Sequence, residues 1–576
     1  MLSSGLDELF TTLGFGRWTL SVILTYISWA LVLPYFSLGG AFYNPEVDHW
    51  CDVPQLSDNN WTLEQRLNYS VPWEERGGGL ERSHCNVFIR NYSAVSNLPW
   101  TPDLQDDLTL ATRNCDHWQY DTSTFTSTVT MEWDLVCERS GLSPLFQSLY
   151  FLGAAIGEPL LGFLSDRYGR RWVLMVAGVI FSLVAVASAL LPLLTLVLAS
   201  RFILGLLHPS CSVAYVKAME VCPTKQRTIM GLLITAPFAF TGMMFGAWAY
   251  LVRDWRTLQL FCTLPAVLIL LQIPFMDESP RWLMVQGRVE EAAKVLHKAS
   301  CWQGDALPPQ QQLTDHLQKL RNQQQTVPKS KAEEYGCVAV WFKDVVLMLR
   351  QPTLRKITLA LFSCYFLTGI TYWGISLSGT VFSDDPFLYM VMSSLMEVPG
   401  YSGFTPIVVK FGRRPVLSSC FAISGAAILA ILITPTAYTT VTLVLALVGK
   451  LFITGAYNLL YLTASELLPT CVRSRGLNLS SMMARVGSIM SPFIIGLLAL
   501  TYRWLPSLMF GTFAALASLI ALLLPDSRHK PLPDTTQDVE QLYGRRTEAS
   551  PTLITNSESL PPLKNQEDIE QETTTQ

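Results

Sequence analysis

Long apolar runs separated by short polar breaks dominate the chain. A helix that crosses a hydrocarbon core needs roughly 20 apolar residues. Runs of that order occur at 17–38, 144–164, 172–191, 195–217, 228–251 and 258–276. A polar stretch, 277–355, interrupts the series, and further runs follow at 356–376, 386–409, 415–433, 441–462, 477–500 and 505–523. The pattern predicts an all-α membrane protein with twelve transmembrane helices in two sets of six. One long polar insertion, 41–143, separates the first run from the second. Inside the central stretch, GRVEEAAKVLHKAS (287–300) and WFKDVVLMLRQP (341–352) read as amphipathic helices. Residues 524–576, rich in Pro, Thr, Ser, Glu and Gln, read as a disordered tail.

The charged residues orient the runs. Lys and Arg mark loops that stay on the cytosolic side. Alternate loops carry Arg167, Arg170 and Arg171, then Lys225 and Arg227, then Lys410, Arg413 and Arg414, then Arg473 and Arg475. Two of the opposite short loops carry no charge, and a third has only Asp384 and Asp385. The segment 1–16, the stretch 277–355 and the tail are therefore expected in the cytosol, and the insertion 41–143 outside. That insertion holds sequons at Asn60, Asn68 and Asn91 and cysteines at Cys51, Cys85, Cys115 and Cys137. The grouping fits a glycosylating, oxidising compartment and a multi-pass plasma-membrane protein. Four cysteines allow three pairings, and their spacing does not choose among them.

The polar breaks also repeat. DRYGRR (166–171) returns as KFGRR (410–414), EVCPTKQR (220–227) as ELLPTCVR (466–473), and DESPR (277–281) as PDSR (525–528). The offset stays between 243 and 248 residues. Topology explains the charges, but not the repeated Pro-Thr spacing or the constant offset. A six-span unit present twice in parallel belongs to carriers whose solute sits at the midplane between halves.

Composition removes other classes. Only 15% of residues are charged against a usual ~25% in soluble domains, and the net charge is −4. Nothing suggests a nucleic-acid partner. There is no GxxxxGK[ST] phosphate loop and no HExxH, so an ATP-driven pump or an enzyme is not expected, nor a cofactor or a metal. The first apolar run is full length and lacks a small-residue cleavage site, so no signal peptide is read.

GFLSDRYGRR resembles the loop signature of the major facilitator superfamily. From its first span to about Glu540 the chain resembles that superfamily's organic cation, anion and carnitine transporters. The resemblance includes DHWQYDTSTFTSTVTMEWDLVC, DESPRWLMVQGR and PLPDTTQDVE. It implies two pseudo-symmetric halves, alternating access and a small organic ion as substrate. It also implies a cytosolic latch that holds the outward-facing state, built from Asp166, Arg167, Gly169, Arg170, Arg171, Glu220 and Arg227, with Arg413, Arg414, Glu466 and Arg473 as counterparts.

Charges within the spans are functional candidates because each costs about 2.5–3.5 kcal/mol to insert. They are Glu158, Arg201, Glu397, Lys450 and Arg485. Glu397 lies eleven residues into its span and Arg485 eight residues into its own, depths of about 16 and 12 Å. At one depth they either flank a substrate or neutralise each other. In the family, anion and carnitine members carry Arg at the position of Arg485, and cation and carnitine members carry Glu at that of Glu397. Anion members have Lys where Tyr401 stands. The combination implies a zwitterion such as carnitine, or an organic anion. Arg offers a planar fork to a carboxylate, and Glu with aromatic faces can hold a quaternary ammonium. Tyr372 and Trp373 match an aromatic pair lining the family's cavity; Tyr457, Phe238 and Tyr461 are softer candidates, and Lys450 could steer anions. Arg201 reads as structural or gating, or as a partner of Glu158, which could itself be a proton site. His208 reads as a packing residue. Tyr35 stands where carnitine members of the family carry a polar amide associated with sodium coupling, so the resemblance does not extend to sodium coupling, and a coupled ion or an exchange anion is left open. The alternatives are an organic cation uniporter and a non-transporting receptor that binds a ligand through its outer loop.

Overall fold

The computed structural model describes residues 2–543 apart from 58–60, 77–78, 96–99, 101–110, 224–235, 305–306, 325–345, 436, 470–471, 499–501, 529, 531–532 and 534. Arg227, Asn60 and residues 544–576 therefore lie outside the described residues. So do residues 341–345 of the second expected amphipathic helix, whose 346–350 are helical.

The chain is a helical bundle with a small β-containing insertion. The first half contains α1 (Leu2–Leu13), α2 (Arg17–Ala30), α3 (Ser143–Tyr168), α4 (Arg170–Leu190), α5 (Leu194–Leu207), α6 (Ser210–Val221), α7 (Ala236–Leu251) and α8 (Trp255–Thr263). Three helices follow: α9 (Pro280–Gln286), α10 (Val289–Trp302) and α11 (Gln310–Gln324). The second half contains α12 (Pro352–Leu377), α13 (Pro386–Leu395), α14 (Glu397–Ser402), α15 (Thr405–Phe411), α16 (Arg413–Ala430), α17 (Thr439–Leu467), α18 (Arg473–Phe493) and α19 (Leu505–Ala521), then α20 (Thr536–Tyr543).

Among the described residues, nine helical stretches are long and apolar enough to cross a membrane. They are Arg17–Ala41, Cys137–Tyr168, Arg170–Leu190, Leu194–Val221, Trp255–Phe275, Pro352–Leu377, Arg413–Ile433, Thr439–Leu467 and Arg475–Leu498. Large apolar side chains such as Leu183 and Leu523 stand on the outside, 67% and 76% exposed. Such a surface is stable only against lipid or a partner.

The run predicted at 386–409 is broken into α13, α14 and α15, and proline explains both breaks. Proline has no N–H to bond the carbonyl four residues back. Pro399 leaves Leu395 without that bond, and α13 ends at Leu395. Pro406 does the same to Ser402, and α14 ends at Ser402.

Close helix contact uses small residues. A Cβ on Gly205 would stand 2.0 Å from the Tyr150 carbonyl oxygen, so α5 lies against α3 backbone to backbone.

At the end of the bundle that carries the basic repeats, α1 packs on α9–α11. Leu6, Phe10, Leu283, Leu296 and Leu317 share one core there. The Asp7 carboxylate pairs with Arg281, and Lys298 Nζ lies 2.8 Å from Asp277 Oδ1. Of the stretch 287–300, residues 289–300 are helical within α10; Gly287 instead closes α9 in the left-handed region. The tail is not wholly disordered. α20 folds back with Val539 fully buried, and Glu540 accepts bonds from the Thr353 backbone N–H and hydroxyl at 3.3 and 2.7 Å. The Gln351 side chain does not cap α12, so Glu540 places its charge at that positive helix start.

The insertion pairs His49–Cys51 with Trp118–Tyr120, Trp73–Arg76 with Gly79–Arg82, and Asn86–Phe88 with Thr112–Asn114, all antiparallel. Of the three cysteine pairings left open, the fold brings together Cys51 with Cys115 and Cys85 with Cys137. Glu132 anchors the insertion to the first half: it accepts from Trp255 Nε1 and Arg256 Nε, both at 3.0 Å.

Gly169 precedes α4 at φ +100°, and a Cβ there would meet the Glu278 carboxylate at 2.2 Å. Gly169→Ala is expected to destabilise the detergent-purified protein by about 1–3 kcal/mol, read as a lowered thermal midpoint. Gly304 has φ +90° with open space around it. Gly304→Ala should cost only the backbone term, about 1–2 kcal/mol, and less than Gly169→Ala. Equal losses would show that the Glu278 contact does not matter.

Candidate functional site

Glu397 starts α14, immediately after the first proline break, and is 4% exposed. Its partner is not Arg485 but Lys450 of α17, whose Nζ lies 2.9 Å from Glu397 Oε1. The same ammonium donates to Ser376 Oγ at 2.6 Å and sits 3.6 Å from the centre of the Tyr372 ring. The Tyr372 hydroxyl donates to Glu397 at 2.5 Å. Tyr401 lies beside Tyr372 and in the field of Glu397. Lys450 thus shares the depth of Glu397. The pair is a closed unit of the second half: one acid, one base and two phenols.

Arg485 instead faces the first half. Its Nη2 lies 3.2 Å from His208 Nε2, and the His208 Nδ1 lies 2.7 Å from the Tyr150 hydroxyl. With Arg485 donating to Nε2, the imidazole keeps its proton on Nδ1 and donates it to Tyr150. His208 is therefore a bridge between halves as well as a packing residue. The Arg485 Nε is buried without a hydrogen-bond partner. Glu158 of α3 lies in the field of Arg485, and its Oε1 accepts from Ser481 Oγ at 3.4 Å. Tyr457 stands between the two clusters. Its ring is 5.5 Å from Tyr372, and its hydroxyl feels both Arg485 and Glu158.

The remaining candidates divide. Trp373 is buried, 4.9 Å from Phe151 of the first half. Phe238 is half-buried on α7 and packs on the main core. Tyr461 is exposed. Arg201 does not pair with Glu158; it donates to Gln147 Oε1 at 3.3 Å and lies 3.9 Å from the Phe146 ring centre. Its Nε and Nη1 are buried without a hydrogen-bond partner.

The basic repeats fold into the same cluster twice. Arg170 Nη2 lies 3.0 Å from Asp166 Oδ1 and 3.3 Å from Glu220 Oε1, and Glu220 accepts from Ser279. Arg413 Nη2 lies 2.9 Å from Glu466 Oε1, and Glu466 accepts from Ser527 at 2.5 Å. The two serines were missed as members, although they recur 248 residues apart within DESPR and PDSR. Both clusters close within one half, so these pairs brace each half rather than bolt the halves together. Around them, Arg171 offers its N–H to Glu278, Arg473 donates to the Leu468 carbonyl, Arg414 is half-buried, and Arg167 is exposed beside Phe163 and Tyr168.

At the opposite end, the halves meet through rings. Phe387 of α13 stacks on Phe42 at 5.4 Å and touches Phe125 and Tyr250 at 5.5 and 5.8 Å, all three from the first-half side. Beyond them lies a cavity of about 1240 Å³ under the insertion, lined by Glu46, Asp48, Asp134, Glu138 and Arg503 among others. None of the predicted substrate residues lines it. Burial, and then the Asp134 charge that accepts its hydrogen bond at 3.0 Å, holds the Tyr120 phenol above its ordinary range. Asn91 is exposed, while the Asn68 side-chain oxygen accepts from Arg82.

Residues 103–536 match the sugar (and other) transporter family. An organic cation transporter protein of Drosophila melanogaster is 30% identical over 547 residues, spanning 94% of this chain and 95% of that protein. The organic cation/carnitine transporter 2 of Homo sapiens is 29% identical over 545 residues, covering 92% and 93%. The solute carrier family 22 member 7 of Bos taurus is 30% identical over 547 residues, covering 93% and 96%. Among solved structures, the xylose transporter XylE from E. coli in an inward open conformation superposes with a TM-score of 0.55 at 15% identity, over 94% of this chain and 99% of that one. That likeness concerns the fold.

Glu397 and Lys450 are each nearly inaccessible. Removing one partner of such a pair strands a buried charge, at about 3–5 kcal/mol. Glu397→Gln and Lys450→Met should each lower the thermal midpoint in detergent, and the double substitution should be less damaging than either. Additive losses would mean that the two side chains do not act as a pair.

Proposed function

The chain belongs to the sugar (and other) transporter family and, within the major facilitator superfamily, to the group of organic cation and carnitine transporters; on that premise we propose that it carries small organic ions bearing a carboxylate, anions or zwitterions such as carnitine, by alternating access. It is a multi-pass membrane transporter and not an enzyme. The nine long stretches, with α7, the proline-broken α13–α15 and α19, make twelve spans in two halves. Both termini lie in the cytosol with the basic clusters, and the cysteine-bearing insertion lies outside a plasma membrane.

One observation carries the substrate class. Glu397 is already neutralised by Lys450, whereas Arg485 keeps a buried N–H without a partner at the seam between halves. A cation entering here meets a site whose acid is occupied. A carboxylate meets a guanidinium with hydrogen-bonding capacity to spare. The Tyr457 ring beside it supplies a face for the apolar or ammonium end of the solute. The runner-up, an organic cation uniporter, requires Lys450 to leave Glu397, which would give the cation both the acid and the Tyr372 face.

Cells displaying the protein are expected to take up labelled carnitine or p-aminohippurate in preference to tetraethylammonium. Arg485→Asp should cut carboxylate uptake by about tenfold or more, the scale of one charge-assisted contact. Unchanged selectivity would remove Arg485 from the site. No uptake of any of the three, with normal surface display, would favour a receptor that kept the fold.

A further inference from the structure

Glu158 has no role in the reading above, yet an acid in the middle of a span is expensive to keep. It sits on α3 where that helix packs against α18 of the other half; Ser148 on the same helix donates to the Ile489 carbonyl of α18 at 2.8 Å. Glu158 Oε1 meets Ser481 Oγ at 3.4 Å, while Oε2 is buried and has no hydrogen-bond partner. The charged and titratable groups facing it are Arg485 of α18, Tyr457 and Tyr461 of α17, and Cys211 of α6. Arg485 is the only cation in that set, and Lys450 is committed to Glu397.

The charge count then depends on the substrate. With the site empty, Glu158 and Arg485 balance. A substrate carboxylate on Arg485 sets two acids against one guanidinium in a low-dielectric setting, and the excess negative charge is costly. A proton on Glu158 removes it. We propose that Glu158 is the binding site for a co-transported proton, taken up with the carboxylate substrate on one side and released with it on the other. The ionised Glu158 then faces Arg485 again while the empty carrier returns. A monocarboxylate moves with no net charge by this cycle, whereas a zwitterion moves with one positive charge and responds to membrane voltage.

This inference rests on the carrier reading above, and the test separates the two. Labelled p-aminohippurate is followed in net uptake against a pH gradient and in exchange against unlabelled p-aminohippurate. In the unmodified protein, net accumulation should rise with outside acidity, towards about tenfold per pH unit at the limit. Glu158→Gln imitates the protonated acid: it should lose the response to the gradient and keep exchange. Acid stimulation surviving in Glu158→Gln, or net uptake in the unmodified protein that ignores pH while exchange proceeds, would overturn the proposal. If Glu158→Gln does not reach the surface, Glu158→Asp should keep the stimulation with a displaced pH midpoint, and an unmoved midpoint would count against it. Neither uptake nor exchange in the unmodified protein would overturn the carrier reading and this inference with it.

Discussion

An ion inside a hydrocarbon layer must find an opposite charge or give up its own, and the interior of this protein is arranged around that constraint. Glu397 and Lys450 meet at 2.9 Å with Tyr372 and Ser376 completing their hydrogen bonds. The exchange of solvent for a partner is complete there, so the cluster is fixed. Arg485 and Glu158 are treated differently. Each retains a buried polar atom without a partner, and they belong to different halves. The first pair holds a half together, and the second lies where the halves part.

The same division governs the ends of the bundle. In both halves an arginine, a glutamate and a serine close on themselves, so each half ends as a braced block. Contacts between blocks are of another kind: stacked rings around Phe387, the histidine bridge from Arg485 to Tyr150, and single hydroxyl-to-carbonyl bonds such as Ser148 to Ile489. Stacked rings and lone neutral hydrogen bonds are worth roughly 1 kcal/mol apiece. A seam made of such contacts can separate and re-form without breaking a buried ion pair.

The helical membrane fold was legible in the sequence because span length and a constant repeat offset are one-dimensional signals. The buried charges were legible too, since an ionisable residue in an apolar run stands out. Their pairing was not. Glu397 and Arg485 lie at similar depth, but depth says nothing about azimuth, and Lys450 on another helix took the place expected of Arg485. The basic clusters were half legible: their arginines and glutamates stand out in the repeats, but whether an arginine reaches its own half or the other depends on the fold. His208 bridges the halves although its sequence surroundings are those of a packing residue. The helix α20 escaped a compositional reading because Val539 and Glu540 fold only against α12. The cysteine pairing likewise depended on strand register.

The two proline breaks give one span mechanical properties unlike those of its neighbours. A helix missing a backbone rung bends there more easily than anywhere along an unbroken rod. Pro399 and Pro406 isolate a short link, α14, that bears Glu397 and is tied to Lys450 on the continuous helix α17. The outer piece, α13, stays with the rings around Phe387. Flexing at the link would let α15 move relative to α13 while the rings around Phe387 stay in contact.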